Sequence, residues 1–492
     1  MNKTYLLETF SQLCGTSEFE PSDIRNFLQM KQYRDMQDPT KFLIVGGRGA
    51  GKTRVFRTLV GENGFLRVIG DEVPFNRPNY ANTKILEGYS ADNRDFPTQK
   101  VLETFKNDEE TIGFWAGSIV LVILNAFRSD NQIQQLASQT FGKEEFDVLS
   151  SLNALKQPSK WMKHYQNNLE TWANFLDEVD EILYQRNQWV IIAYDQIDRI
   201  STNYDILYSY IRTLIAYWFS VSTRWRRLKC KIFIRTDLIK AERMHFPDAS
   251  KIVSRKIDLS WDTLSLYRLL IRRIANTDVH SDEMLQYLSD IPNLIQENES
   301  IGYVPTSDVN QIKKLITKMI GPYMGSSPKK GDSFSWVPNH LQDANGDLAP
   351  RAFLKCFACA AQTMLKPENE RILLQLNSDL LMNPSSIQGA VQEVSEDRVE
   401  ELTEDFPWLA NLKSALEGGA LWMPLADFQD RLGIFLKSND KKDIPADSVD
   451  KLMQLLIELG IIIQGSDSRI NMPEIYLHGF GLKRKGGLRR PK

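Results

Sequence analysis

Two kinds of hydrophobic run alternate along the chain. Phe42–Leu43–Ile44–Val45 and Trp189–Val190–Ile191–Ile192–Ala193–Tyr194 are short and unbroken, the signature of strands buried on both faces. Lys231–Ile232–Phe233–Ile234–Arg235 is a third such run, and Lys256–Trp261 a short extended piece. Longer stretches between them carry apolar residues at helical spacing. Val55, Leu59 and Val60 follow the first strand, and Tyr204–Phe219 precedes the third. From about Thr98 to Arg186 the pattern is helical throughout, with Gly113–Phe127 its most apolar piece and Phe175, Val179 and Leu183 forming a stripe. Strands separated by helices predict an α/β fold with a parallel sheet covered by helices. Glu62–Asn93, rich in Gly, Pro, Asn and Asp, reads as loop with one short strand at Phe65–Ile69.

The same patterning divides the chain. Residues 1–40 form a helical lead-in, and 41–260 a core whose helical insertion spans about 98–186. Residues 261–376 form a helical lid, with helices at Leu264–Ala275, Asp282–Gln296 and Asp308–Ile320, a loop over Met324–Pro350, and a further helix opened by Arg351. Residues 377–400 read as a charged linker. In 401–480 three apolar stripes follow: Leu409, Leu412 and Leu416; Leu425, Phe428 and Leu432; Val449, Leu452, Leu456 and Leu459. A hairpin over Ile461–Gln464 and Arg469–Met472 completes the parts of a winged helix. The tail, Lys483–Lys492, has six basic residues in ten.

Composition narrows the picture modestly. A formal net charge of -3 gives no global attraction to nucleic acid or membrane. Four cysteines suit a reducing cytoplasm, and Cys356 and Cys359, a C-x-x-C without further ligands, fit a buried helix face. The apolar run Ile119–Phe127 is about half of the ~20 residues a membrane span needs, and residues 1–20 show no signal peptide.

Candidate chemistry begins where the first strand ends. Gly46, Gly47, Arg48, Gly49, Ala50, Gly51, Lys52 and Thr53 fill the pattern G-x-x-x-x-G-K-[ST] of a phosphate-binding loop, or P-loop. Glycines allow backbone N–H groups to curl around a polyphosphate, Lys52 can reach the β and γ phosphates, and the Thr53 hydroxyl can hold Mg²⁺. The helix starting near Lys52 directs its positive end at the same anion. A nucleoside triphosphate is the expected ligand.

Asp195, ending the second strand, is the expected partner of Mg²⁺. Where many ATPases place a Glu after that Asp, this chain has Gln196, so Asp198 is the nearest remaining carboxylate to activate water, with Gln196 as a water-orienting alternative. Arg235 at the third strand end could contact a γ phosphate or form a salt bridge to Asp195, Asp198 or Asp237. Arg351 is a second candidate phosphate contact. The run Arg224–Trp225–Arg226–Arg227–Leu228–Lys229 fits a contact to a neighbouring subunit's phosphate, a nucleic-acid backbone or a solvated helix end.

In order and spacing, Gly46–Thr53, Val190–Asp195 with Asp198, and the Arg235-terminated strand, followed by a lid and winged helix, resemble the STAND and AAA+ P-loop ATPases, NACHT-type and origin-recognition-like members in particular. The resemblance implies ATP rather than GTP, Mg²⁺, hydrolysis involving Asp198, γ-phosphate sensing by Arg235, and assembly with itself or a partner protein that differs between ATP- and ADP-bound states. Bacterial relatives of this kind often act in antiviral defence. Arg199 and Gln196 depart from the pattern and imply slow turnover. A DNA-binding loader or remodeller using the winged helix and the Lys483–Lys492 tail is the alternative. On the third winged-helix helix, however, the residues expected outside, Asp450, Lys451, Gln454 and Glu458, are mixed in sign.

Overall fold

The computed structural model describes residues 2–14, 23–70, 82–239, 251–252, 255–377, 379–438, 444 and 446–484. The chain divides into two compact units, residues 29–259 and residues 1–28 together with 260–492.

The first unit is built on a parallel sheet of order β2-β3-β4-β1-β5, with β1 Leu43–Gly46, β2 Thr83–Tyr89, β3 Trp189–Tyr194, β4 Leu228–Arg235 and β5 Lys256–Asp258. Helices cover it, as the apolar runs predict. Strand alternation sends Ile192, Tyr194, Ile232 and Ile234 into one core with Trp115, Ile119 and Leu214 from the helices Asp108–Ala126 and Tyr204–Val221. Trp115 meets Tyr194 edge-on at 5.7 Å and donates its indole N–H to the Tyr210 carbonyl at 2.9 Å. Phe233 alternates with Ile232 and Ile234 and packs instead on Phe56 of the helix Lys52–Val60, ring centroids 5.8 Å apart. Asp108–Ala126 is long and apolar enough by composition to cross a membrane, but most of it is buried in this core.

Two expectations fail between Glu62 and Asn93. Phe65–Ile69 lies in a short helix, Gly64–Ile69, because Phe65, Val68 and Ile69 are buried while Leu66 faces solvent, a helical period. Thr83–Tyr89, read as loop, is the edge strand β2 paired with β3. The helical insertion accordingly lies between β2 and β3.

The second unit has one continuous core, to which Leu6, Leu7 and Phe10 of the helix Lys3–Ser11 contribute alongside residues from Leu266 to Leu482. Residues 1–40 are therefore divided between the units and do not form one lead-in. The stretch read as a linker is largely the helix Pro384–Asp405, capped by Asn383, with Ile387, Val391, Val394 and Leu402 buried. Exposed acidic residues such as Glu393, Glu396 and Glu400 occupy its outer face and conceal the stripe. The helix expected at Asp282–Gln296 ends at Ser289, and a hairpin of Ile295–Asn298 and Gly302–Pro305 follows. Within Met324–Pro350, Ser333–Leu341 is helical. Cys356 and Cys359 are buried free thiols on the helix Pro350–Leu365. Toward the C-terminus, helices Trp408–Leu416, Leu425–Ser438 and Val449–Glu458 accompany a three-stranded antiparallel sheet of Ile463–Gln464, Arg469–Asn471 and Met423–Pro424. Lys483–Arg484 pair with Ala420–Leu421, and the rest of the basic tail lies outside the described residues.

The approach to β4 is fixed by one buried carboxylate. Asp180 accepts backbone N–H bonds from Arg226, Arg227 and Leu228, each at 2.7 Å. Truncating it strands three donors, each worth about 1 kcal/mol or more. Asp180→Ala is expected to lower unfolding stability of this unit by roughly 3 kcal/mol in urea titration, whereas Asp177→Ala, at a more exposed position, costs less.

Candidate functional site

Parallel strands end on the same side of the sheet, so the chain's polar strand ends meet there. In register Gly46 of β1 lies opposite Arg235 of β4, and Tyr194, one residue before Asp195, lies opposite Ile232. The field at the Lys52 ammonium confirms the convergence, since Asp198, Asp195 and Asp237 favour its charge and Arg235 opposes it. Burial outweighs these and lowers the Lys52 pKa. Its Nζ donates to the Gly46 and Gly47 carbonyls, both at 2.9 Å.

The loop geometry follows from its glycines. Gly51 has φ of 91°, a left-handed conformation that an L side chain resists, and it leads into the helix Lys52–Val60 with no side-chain cap. At Gly46 a Cβ would stand 3.0 Å from the Ala50 Cβ and 3.2 Å from the Leu259 Cβ. At Gly47 it would meet nothing within 4 Å, so one side of the loop is open. An uncapped helix N-terminus beside an open loop is suited to an anion.

Asp195 is 2 % exposed. The Thr53 hydroxyl and the Gln196 N–H bond to its carboxylate, but Oδ2 has no hydrogen-bond partner among the described residues. Desolvation pushes its pKa up to about 7 against the pull of Thr53, Gln196 and Lys52. A buried carboxylate oxygen without a partner, next to a Thr hydroxyl, fits a hard divalent cation. Thr53 and Asp195 are the residues that would hold such a cation, Mg²⁺ among them. Among the described residues no cluster of three or more His, Cys, Asp or Glu forms a separate metal cage.

The remaining candidates are distributed unevenly. Arg235, its side chain 12 % exposed, donates Nε–H to Asp237 Oδ1 at 3.1 Å and Nη2–H to Oδ2 at 2.9 Å, and its Nη1 lies 3.6 Å from Asp198 Oδ2. The salt-bridge alternative is thus the geometry present. Asp198 is partly exposed beside it. Gln196 is turned elsewhere: its amide oxygen accepts from the Ser90 hydroxyl and the Asp92 N–H, both at 3.1 Å, and its amide nitrogen donates to Asp92 Oδ2 at 2.6 Å. It holds the end of β2 against β3. Arg351 belongs to the other unit, where it pairs with Glu401 at 3.3 Å.

Arg224–Lys229 precede or open β4, at the sheet end opposite the loop. Arg224 pairs with Asp177, Arg226 pairs with Glu181 at 3.1 Å, and Arg227 lies over the Trp189 ring at 4.5 Å. Trp225 is buried and donates to Asp177. These contacts describe a structural seam.

Two residues escape a reading of the sequence. Asp237 appears there only as one of several salt-bridge partners. Lys231, fully buried within β4, donates to the Asp38 and Lys41 carbonyls at 2.8 and 2.7 Å, which ties down the chain entering β1. A cation inside an apolar strand is the signal for it. No family model matches the chain, and no curated protein matches it.

Asp195 makes stability depend on pH. Its folded pKa of about 7 lies above the unfolded value of about 3.9, so the unfolded chain loses the proton first and stability falls between those values. Asp195→Asn carries no such proton. Its stability advantage over wild type without nucleotide is expected to grow by roughly 2–3 kcal/mol from pH 5 to pH 8, measured by thermal unfolding.

Proposed function

We propose that this chain binds ATP with Mg²⁺ in the loop Gly46–Thr53 and acts as a nucleotide-controlled switch whose assembly, with itself or a partner, depends on the phosphate bound. The observation that carries this reading is the buried Oδ2 of Asp195, without a partner among the described residues, beside Thr53 at the strand end next to an open glycine loop and an uncapped helix. The loop amides would cradle the phosphates, with Lys52 exchanging the Gly46 and Gly47 carbonyls for phosphate oxygens. Bound there, Mg²⁺ would neutralise charge on the β and γ phosphates. Asp198 is the carboxylate left to orient or deprotonate water, because Gln196 is engaged by Ser90 and Asp92. Slow turnover is expected from a water-activating group already drawn toward Arg235.

We read the C-terminal helices and sheet as a winged helix. Supporting this, Met423 of the first strand pairs with Ile470 of the last, enclosing the second and third helices between them in sequence. The exposed face of Val449–Glu458 carries Asp450, Lys451, Gln454 and Glu458, with Lys451 paired to Asp447 at 2.9 Å. That mixture favours protein contact over reading a DNA groove.

Light-scattering mass tests the switch. Wild type with a non-hydrolysable ATP analogue and Mg²⁺ is expected to gain mass over the apo and ADP samples. Lys52→Ala is expected to stay at the apo mass, with analogue affinity lowered about a hundredfold or more in calorimetry. Analogue binding with no mass change, alone or with candidate partners, overturns the switch; absence of binding overturns the nucleotide site.

A further inference from the structure

Arg235 is held by a carboxylate only two residues away. β4 ends at Arg235, and the tight turn Thr236–Leu238 returns Asp237 onto the guanidinium. Asp237 takes the Nε and Nη2 hydrogens in a two-point fork at 3.1 and 2.9 Å. Such a fork fixes the guanidinium plane as well as its position, which a single contact cannot do. The fork takes two of the five N–H donors, and Nη1 stands 3.6 Å from Asp198 Oδ2. Arg235 is also nearly buried and lies in register with the first loop residue, Gly46. A long side chain has therefore lost most of its rotamer freedom before any ligand arrives, so a phosphate reaching it would not bear that ordering cost.

We propose that Asp237 is a positioning residue for triphosphate selectivity, orienting Arg235 so that the site distinguishes a nucleoside triphosphate from the diphosphate. The inference rests on the nucleotide reading of the loop. The α and β phosphates have the loop amides and Lys52, so Asp237 should matter little for ADP. The γ phosphate is the group for which a preset guanidinium makes the difference. Asp237 acts chiefly through Arg235; it also adds the weakest of the charges acting on Lys52, a second route that ADP affinity reads.

The test is calorimetric affinity of the full chain for ADP and for a non-hydrolysable ATP analogue, each with Mg²⁺. Wild type is compared with Asp237→Ala, Asp237→Asn, Arg235→Ala and the double variant Asp237→Ala/Arg235→Ala. Asp237→Ala is expected to weaken the analogue about tenfold and leave ADP within about twofold, the scale of one charge-assisted bond. Asp237→Asn, which keeps one acceptor and is the fallback if the Ala variant fails to fold, is expected to fall between them. The double variant is expected to match Arg235→Ala within about twofold, because the fork is the main route from Asp237 to the γ phosphate and its charge at Lys52 is the weakest of those acting there. Equal weakening of both nucleotides assigns Asp237 a structural role only and overturns the proposal, as does additivity in the double variant or unchanged analogue affinity. Failure of wild type to bind either nucleotide overturns the underlying reading instead, and is distinguished by that.

Discussion

Keeping Asp195 out of water at the end of a buried strand is the constraint on which the rest of the site depends. A carboxylate there is costly. The parallel sheet makes the burial possible, because β2, β3, β4 and β1 end side by side and bring Thr53 and Lys52 to it, with Arg235 acting on Lys52 in turn. Yet the surroundings do not complete the solvation. Among the described residues Oδ2 has no partner, and burial pushes the pKa of the group up to about 7. A position selected for stability alone would carry an uncharged residue. Under the proposed reading the carboxylate keeps this oxygen for a cation, which would supply the partner that the described residues do not.

The charges around Lys52, by contrast, close on one another. Lys52 and Arg235 face Asp195, Asp198 and Asp237. With Asp195 protonated, two cations meet two carboxylates, and the site is balanced without a ligand. Lys52 satisfies itself on the loop carbonyls, and Arg235 on Asp237. Each cation is held in place by a bond that a phosphate oxygen can replace or supplement. Preorganisation of this kind lowers the ordering cost of binding while keeping the nucleotide-free site stable.

Much of this is legible in the order of residues alone. The glycine loop is legible because each constraint, positive φ at Gly51 and close packing at Gly46, excludes almost every other residue. β1, β3 and β4 are legible because strands buried on both faces admit few polar residues. β2 is not, since an edge strand tolerates them: Lys84 lies over the Phe127 ring at 4.7 Å and hydrogen-bonds the Ala126 carbonyl, so its charge never faces the core. Pro384–Asp405 is hidden by composition, its acidic outer face masking the stripe of Ile387, Val391, Val394 and Leu402. Gln196 is assigned by analogy of position, but its direction depends on Ser90 and Asp92, more than a hundred residues earlier, and no local pattern contains that. The role of Asp237 likewise depends on a turn whose geometry the sequence does not specify.

The placement of β4 ties site and scaffold together. It lies between β1, which carries the loop, and β3, which carries Asp195. Its approach is pinned by Asp180, its middle holds the Asp38 and Lys41 carbonyls through buried Lys231, and its end presents Arg235. A strand fixed at its start and middle has little freedom to slide, so a ligand pulling on Arg235 acts on the Thr236–Leu238 turn, with Asp237 at its centre. The fork between Arg235 and Asp237 ties the guanidinium to the turn Thr236–Leu238. Under the proposed nucleotide reading, a phosphate drawing on Arg235 would load this turn before it loaded the sheet beneath it.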